Sequence, residues 1–204
     1  MKIFKYVILN LFIISTIVYG QGKDTLETFK IKKDYSIPGG IFITPSLGME
    51  VPIIGISSNS NLALSLGAKL EYSSLNIYPF VIGLSFQVNN HNGTEEYKTI
   101  NLLNTFKTKI TSIGLSVDFL LAKYLKTKFT VPFIVLEGKY FKIQREISPE
   151  KELPGVLKEE SGFGVTAGAG FTVYIFDLVG TYSYFEKNST IGFKTRIRVP
   201  ILKF

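Results

Sequence analysis

GFGVTAGAGFTVYI, residues 162–175, is two sequences interleaved. The odd positions read Phe163, Val165, Ala167, Ala169, Phe171, Val173 and Ile175, and the even ones Gly162, Gly164, Thr166, Gly168, Gly170, Thr172 and Tyr174. One row is apolar and the other is small. A repeat of two is the signature of a strand, because successive side chains point to opposite faces, and a helix with 3.6 residues per turn cannot produce it. The run is also longer than the 9–11 residues that a tilted strand needs to cross a bilayer. The AGAG within it (167–170) has no helix after it to receive a phosphate, so its glycines read as room on a crowded face and not as a nucleotide loop.

The same alternation recurs on either side. Leu62, Leu64, Leu66, Ala68, Leu70 and Tyr72 alternate with Ala63, Ser65, Gly67, Lys69 and Glu71. Tyr78 to Val88 and Ile113 to Leu121 repeat the pattern, and weaker versions run over 41–51, 129–143, 178–185 and 191–201. That makes eight strands. Short turns follow the second, fourth and sixth (73–75, 125–127, 176–177), whereas polar links of greater length follow the first, third and fifth (52–60, 89–108, 145–161). The last link, 186–189, is short. Alternating short turns and long loops is the order of an up-and-down transmembrane barrel.

A soluble barrel would cover its outer row with Lys and Glu. Here the second row is mostly Gly, Ser, Ala and Thr, which suits the narrow lumen of an eight-stranded barrel and leaves the large apolar row for lipid. Aromatic residues agree: Tyr72, Tyr78, Tyr124, Phe129, Tyr174 and Phe204 fall at one set of strand ends, and Phe86, Tyr140, Phe163, Tyr184 and Phe193 toward the other. Rings that prefer the headgroup layer form such girdles.

At the N-terminus, MKIFKYVILNLFIISTIVYG places Lys2 and Lys5 before an apolar run and ends on Gly20, the three regions of a secretory signal peptide. A membrane anchor is the alternative, but Asn10, Ser15 and Thr16 interrupt the run. Cleavage after Gly20 would remove two bases and lower the formal charge from +7 to +5, a mild excess that does not point to nucleic acid. With no cysteine, the fold has no disulfide to rely on and no thiolate nucleophile or thiol metal site. Residues 1–20 are therefore expected to be a signal peptide, 21–38 a charged periplasmic extension and 39–204 the barrel.

The signal peptide, the alternating segments, the turn-and-loop order and a last strand, RIRVPILKF, ending on Phe204 together resemble small outer-membrane barrels of Gram-negative bacteria, typified by the membrane domain of outer membrane protein A and by porin-family proteins. The resemblance covers Gly39 to Phe204. It implies an all-β, eight-stranded antiparallel barrel in the bacterial outer membrane, in contact with its lipid and lipopolysaccharide, with Phe204 read by the barrel-assembly machinery. Phe204 and Leu202 share parity with Arg196 and Arg198 rather than with Ile197 and Val199, so Pro200 is expected to mark a bulge that resets the register.

Turning the small rows inward puts Glu50, Lys69, Glu71, Asp118, Lys194, Arg196 and Arg198 in the lumen. Buried charges are costly unless paired. Since closure makes the first and last strands neighbours, Glu50 is expected opposite Lys194 to Arg196, in a network that plugs the barrel and allows little conductance. The strand over 129–143 is ambiguous, because an outward Val131, Phe133 and Val135 would carry Glu137 and Lys139 outward too.

No catalytic group, cofactor or metal site emerges. The only histidine, His91, lies in the polar run NNHNGTEE and reads as a solvated loop residue, which leaves a hydroxyl nucleophile without an obvious base. The leading reading is a noncatalytic outer-membrane protein, structural or part of a surface assembly, that meets a protein partner through 21–38 or through the loops 89–108 and 145–161. A narrow channel and a lipid-modifying enzyme are the alternatives.

Overall fold

The computed structural model describes residues 39–122, 124–125 and 130–203. The expected signal peptide, the extension 21–38, and the aromatic residues Phe129 and Phe204 lie outside them, as does part of the 125–127 turn. Nine strands form one closed antiparallel sheet: β1 (Gly40–Ile54), β2 (Ser60–Ser73), β3 (Phe80–Gly93), β4 (Thr105–Leu120), β5 (Thr130–Ser148), β6 (Glu159–Val173), β7 (Phe176–Phe185), β8 (Asn188–Ile197) and β9 (Val199–Lys203). Each pairs with its chain neighbour as far as β8, and β1 closes the barrel by pairing with β2 on one side and with β8 and β9 on the other.

The eighth stave is thus one line broken at Arg198. The gap faces Thr44–Pro45, and the pairing resumes in the same register beyond it. Pro45 has no N–H to offer a ladder. The expected reset comes one residue past Pro200: Phe42 pairs with Pro200 and Ile41 with Leu202, leaving Ile201 as the extra residue.

Burial separates the two rows. Leu62, Leu64, Leu66, Leu70 and Tyr72 of β2 are exposed on the outer face, and Ala63, Ser65, Lys69 and Glu71 are buried inside. The outer face is apolar around the barrel; the row Phe86–Ile113–Tyr140–Phe163, paired strand to strand, is one example. Strand β5 resolves the ambiguity over 129–143 by facing the reverse of its apolar appearance. Phe133, Val135, Glu137, Lys139, Phe141 and Ile143 are all buried, and Ile134, Leu136 and Tyr140 are exposed.

Three further expectations need correction. The turn placed at 176–177 lies at Tyr174–Ile175, with Tyr174 at φ 58°, so Asp177 belongs to β7 and is buried. Strand β3 starts at Phe80, and Tyr78 is partly buried against the inner apolar cluster that contains Val81 and Phe133, and not in an outer girdle. The long links are partly strand: β3 continues to Gly93 and β4 starts at Thr105, and β5 continues to Ser148 and β6 starts at Glu159. Between β3 and β4 the chain forms a short helix, α1 (Glu95–Ile100), before β4 begins at Thr105.

The lumen is filled. Toward the long hairpins, Ile56, Ile110, Phe141, Ile143 and Phe185 form one apolar cluster; toward the chain ends, Val81, Leu120, Phe133, Val135 and Val179 form another. Glycines on the inner row of β6 make room for them. A Cβ at Gly170 would stand 2.3 Å from the carbonyl oxygen of Leu178 and 2.8 Å from Cζ of Phe133. Gly170→Val should therefore destabilise the barrel by about 1–3 kcal/mol through overpacking, while Ala169→Leu on the outer face should not. Urea unfolding in detergent micelles, followed by tyrosine fluorescence, checks the contrast.

Candidate functional site

Inside the barrel the charges meet in a continuous ladder. Nearest the long hairpins, Lys194 Nζ lies 3.0 Å from Glu50, whose carboxylate also accepts from Gln87, Asn89 and Thr190. The Gln87 carbonyl oxygen accepts from both Lys194 and Lys139, at 2.7 and 3.1 Å. Lys139 then reaches Glu137 at 2.5 Å, Glu137 reaches Lys69 at 2.6 Å, and Lys69 reaches Asp118 at 3.4 Å. Asp118 passes the chain to Arg196 at 2.8 Å, and Arg196 to Asp177 at 3.0 Å. Arg198 binds Asp177 at 3.3 Å and ends the ladder on Glu71 at 2.9 Å, where Thr44 also donates.

The register places these side chains. Inward positions recur every second residue, so Lys194, Arg196 and Arg198 descend one stave while Glu137 and Lys139 climb another. The seven residues singled out from the sequence all lie in this ladder. Glu137, Lys139 and Asp177 join them, which brings it to five carboxylates (Glu50, Glu71, Asp118, Glu137, Asp177) and five cations (Lys69, Lys139, Lys194, Arg196, Arg198). Charge balance was the available signal: four bases facing three acids demanded a net one more acid, which the two acids and one base that join supply. The Arg196 guanidinium also stacks over the Phe133 ring, 4.9 Å from its centroid, a contact worth more when desolvated.

His91 is not a solvated loop residue. It is buried on the inner row of β3, with Nδ1 2.9 Å from the carbonyl oxygen of Asn61, because β3 extends past the polar run that resembles a loop. Among the described residues, no group of three or more His, Asp and Glu is arranged to hold a metal ion.

The second feature is a lobe at the far end of the long hairpins. Thr94 caps α1 by accepting from the Tyr97 amide, Glu95 and Glu96 occupy its first turn, and the chain returns through Leu103 to β4. The loop between β5 and β6 packs against it. Leu103, Phe106 and Leu153 are buried together, with Tyr97, Ile147 and Val156 around them, and the Tyr97 and Phe106 rings sit 5.0 Å apart. Burial there pushes the Tyr97 phenol up from its ordinary value. Backbone and side-chain bonds join the two loops: Asn104 N–H donates to Ser148 O at 2.7 Å and Lys151 to Asn101 O, while Arg145 pairs with Glu160 at 2.9 Å within the β5–β6 hairpin. The candidate loops 89–108 and 145–161 are thus one structure with its own small core, exposing Ile100, Leu102 and Leu157.

No protein-family model matches this chain, and no curated protein matches it in sequence. Among solved structures it is similar to Neisserial surface protein A, with a TM-score of 0.55 at 10% identity over 79% of this chain and 97% of that one. Ail, the attachment invasion locus protein of Yersinia pestis, gives a TM-score of 0.48 at 13% identity over 82% and 100%. The N-terminal barrel domain of Pseudomonas aeruginosa OprF gives 0.43 at 8% identity over 78% and 98%. The fold is that of small, eight-stranded, up-and-down outer-membrane barrels.

Removing one member of the ladder strands its partner. Lys139 has Glu137 as its only carboxylate partner among the described residues, so Glu137→Leu should cost about 3–5 kcal/mol. Adding Lys139→Met should recover much of that loss. A double-mutant cycle by urea unfolding in lipid vesicles measures both.

Proposed function

We propose that the chain is a noncatalytic integral protein of the bacterial outer membrane that works by recognition through its hairpin lobe. The observation that carries this reading is the contrast between the two ends of one rigid scaffold: a lumen closed by paired charges and apolar clusters, and above it two long hairpins locked into a single lobe. Binding residues concentrate on loops held by rigid frames. The belt of exposed Leu, Ile, Phe and Tyr around the staves supports membrane embedding, since a patch of that extent would not be left to water. The extension 21–38 is a second place where a partner could be met, and Phe204 the place where assembly machinery would read the chain.

A tag inserted at Gly155, which lies in the lobe at φ 74° with open space around it, should be labelled on intact cells while the heat-dependent gel mobility of the barrel persists. Recovery of the protein in the soluble periplasmic fraction would overturn the reading. In the purified barrel, planar bilayers should show no stable conductance steps; steady current would favour the channel alternative. Leu115→Arg, at the centre of the apolar outer face, should lower stability in vesicles by about 2–4 kcal/mol.

A further inference from the structure

Along β3, β4 and β5 the outer face changes character within two residues. Beyond the aromatic row containing Phe86, Ile113, Tyr140 and Phe163, the next outward row pairs Thr111 with Lys142, and the one after it pairs Asn90 with Lys109 and Lys109 with Gln144. Tyr140 and Phe163 meet edge to face, 5.4 Å apart, one step below Lys142. At about 3.3 Å per residue and a strand tilt of about 40°, Lys142 stands about 5 Å and Lys109 about 10 Å above those rings. With the rings at the edge of the hydrocarbon, Lys142 lies within the headgroup layer, which adds about 5–7 Å on each side of the bilayer, and Lys109 stands just above it, where its flexible stem lets the ammonium reach down to the layer's outer surface.

The chemistry at that height is mixed. Lys107 pairs with Glu146 at 3.5 Å, and Lys142 with Glu159 at 2.9 Å, while the Gln144 amide donates to Glu159 at 3.0 Å. Both ion pairs are exposed, and such pairs are worth at most about 1 kcal/mol, so a phosphate can displace either carboxylate. Lys109 has no carboxylate partner among the described residues and stands between two amides, Asn90 and Gln144. Asn90, Asn92, Lys107, Lys109, Gln144 and Glu146 wall a shallow cavity of about 520 Å³. Cations suit phosphate, and side-chain amides and a carboxylate suit sugar hydroxyls.

We propose that this face of β3–β5 seats the sugar-phosphate headgroup of a glycolipid in the surrounding leaflet, with Lys109 and Lys142 on phosphate, Asn90 and Gln144 on sugar, and the acyl chains against Tyr140 and Phe163. The proposal rests on the membrane reading above and gives the glycolipid contact that the resemblance implies a definite place and named residues. A free sugar phosphate shares the headgroup chemistry but lacks the chains. A bilayer of plain anionic phospholipid supplies charge without the sugar.

The full chain in phosphatidylcholine nanodiscs separates these cases when lipid A or phosphatidylglycerol is titrated in and barrel-bound lipid is counted by native mass spectrometry. Lipid A should bind more tightly than phosphatidylglycerol. Lys109→Ala should weaken lipid A about tenfold, the scale of one charge-assisted hydrogen bond, Lys109→Arg should retain it, and Lys187→Ala, in the hairpin between β7 and β8, should leave it unchanged. Equal binding of the two lipids, indifference to Lys109→Ala, or full competition by glucose 1-phosphate would each overturn the proposal. Heat-dependent gel mobility of every sample reports separately whether the barrel is folded in the membrane, so failure of the membrane reading is told apart from failure of this site.

Discussion

A closed barrel of eight staves has an interior that side chains just fill, so an ionised group placed there is tolerable only beside its opposite. This chain places ten ionised groups there, five of each sign, and contacts run through them from Glu50 at one end to Glu71 at the other, with Gln87 bridging Lys194 to Lys139. Their charges cancel, so the formal +7 of the whole sequence is carried entirely outside the ladder. The ladder also ties staves that share no backbone pairing: Lys69 of β2 holds Glu137 of β5, and Asp118 of β4 holds Arg196 of β8. A slip of one residue in any of these strands would turn its charges toward the outer face. Register, closure and lumen are therefore one constraint.

That constraint explains why β5 faces as it does. Its inner row mixes Phe133, Val135, Phe141 and Ile143 with Glu137 and Lys139, and its outer row is Ile134, Leu136, Gly138 and Tyr140. Hydrophobicity alone prefers neither face, since both rows are largely apolar. Reversing the strand would put Glu137 and Lys139 in lipid and leave Lys69 without its nearer partner; Lys194 would lose the shared Gln87 network that reaches Lys139. The pairing of two charges thus outweighs the inward placement of four apolar side chains. Those side chains are not wasted, because they build the two clusters that close the lumen on either side of the ladder.

The sequence was most legible where the two rows differ in size. In β2 and β6 large side chains alternate with small ones, and a repeat of two identifies both the strand and its facing. It was least legible where polarity along the chain stopped tracking exposure. NNHNG looks like solvated loop, yet Asn89 and His91 are buried because the polar inner row simply continues past the apolar outer belt. Asp177 looks like a turn residue because it is an acid that interrupts an apolar run, whereas the turn, with its positive φ at Tyr174, lies two residues earlier. The lobe could not have been read at all, since its core joins Leu103 and Phe106 to Leu153 across a chain separation that no local pattern reports.

Uneven strand lengths are what turn this scaffold into a platform. β7 and β8 have 10 residues each and β5 has 19, so one side of the barrel stops where the other continues as a curved wall. A wall with one side unsupported would be costly to hold in place, since an isolated hairpin is marginally stable in water. Here α1 and the β5–β6 loop pack into a core on it, and the bonds from Asn104 to Ser148 and from Lys151 to Asn101 hold the two hairpins together. On the proposal above, the lower part of the wall's outer face, where apolar rows give way to lysines and amides, meets the lipid headgroups, whereas its upper part stands clear of them. The same four strands can thus be held by the leaflet at their base and offer a fixed surface at their tip, and the filled lumen beneath gives both a foundation that does not need to open.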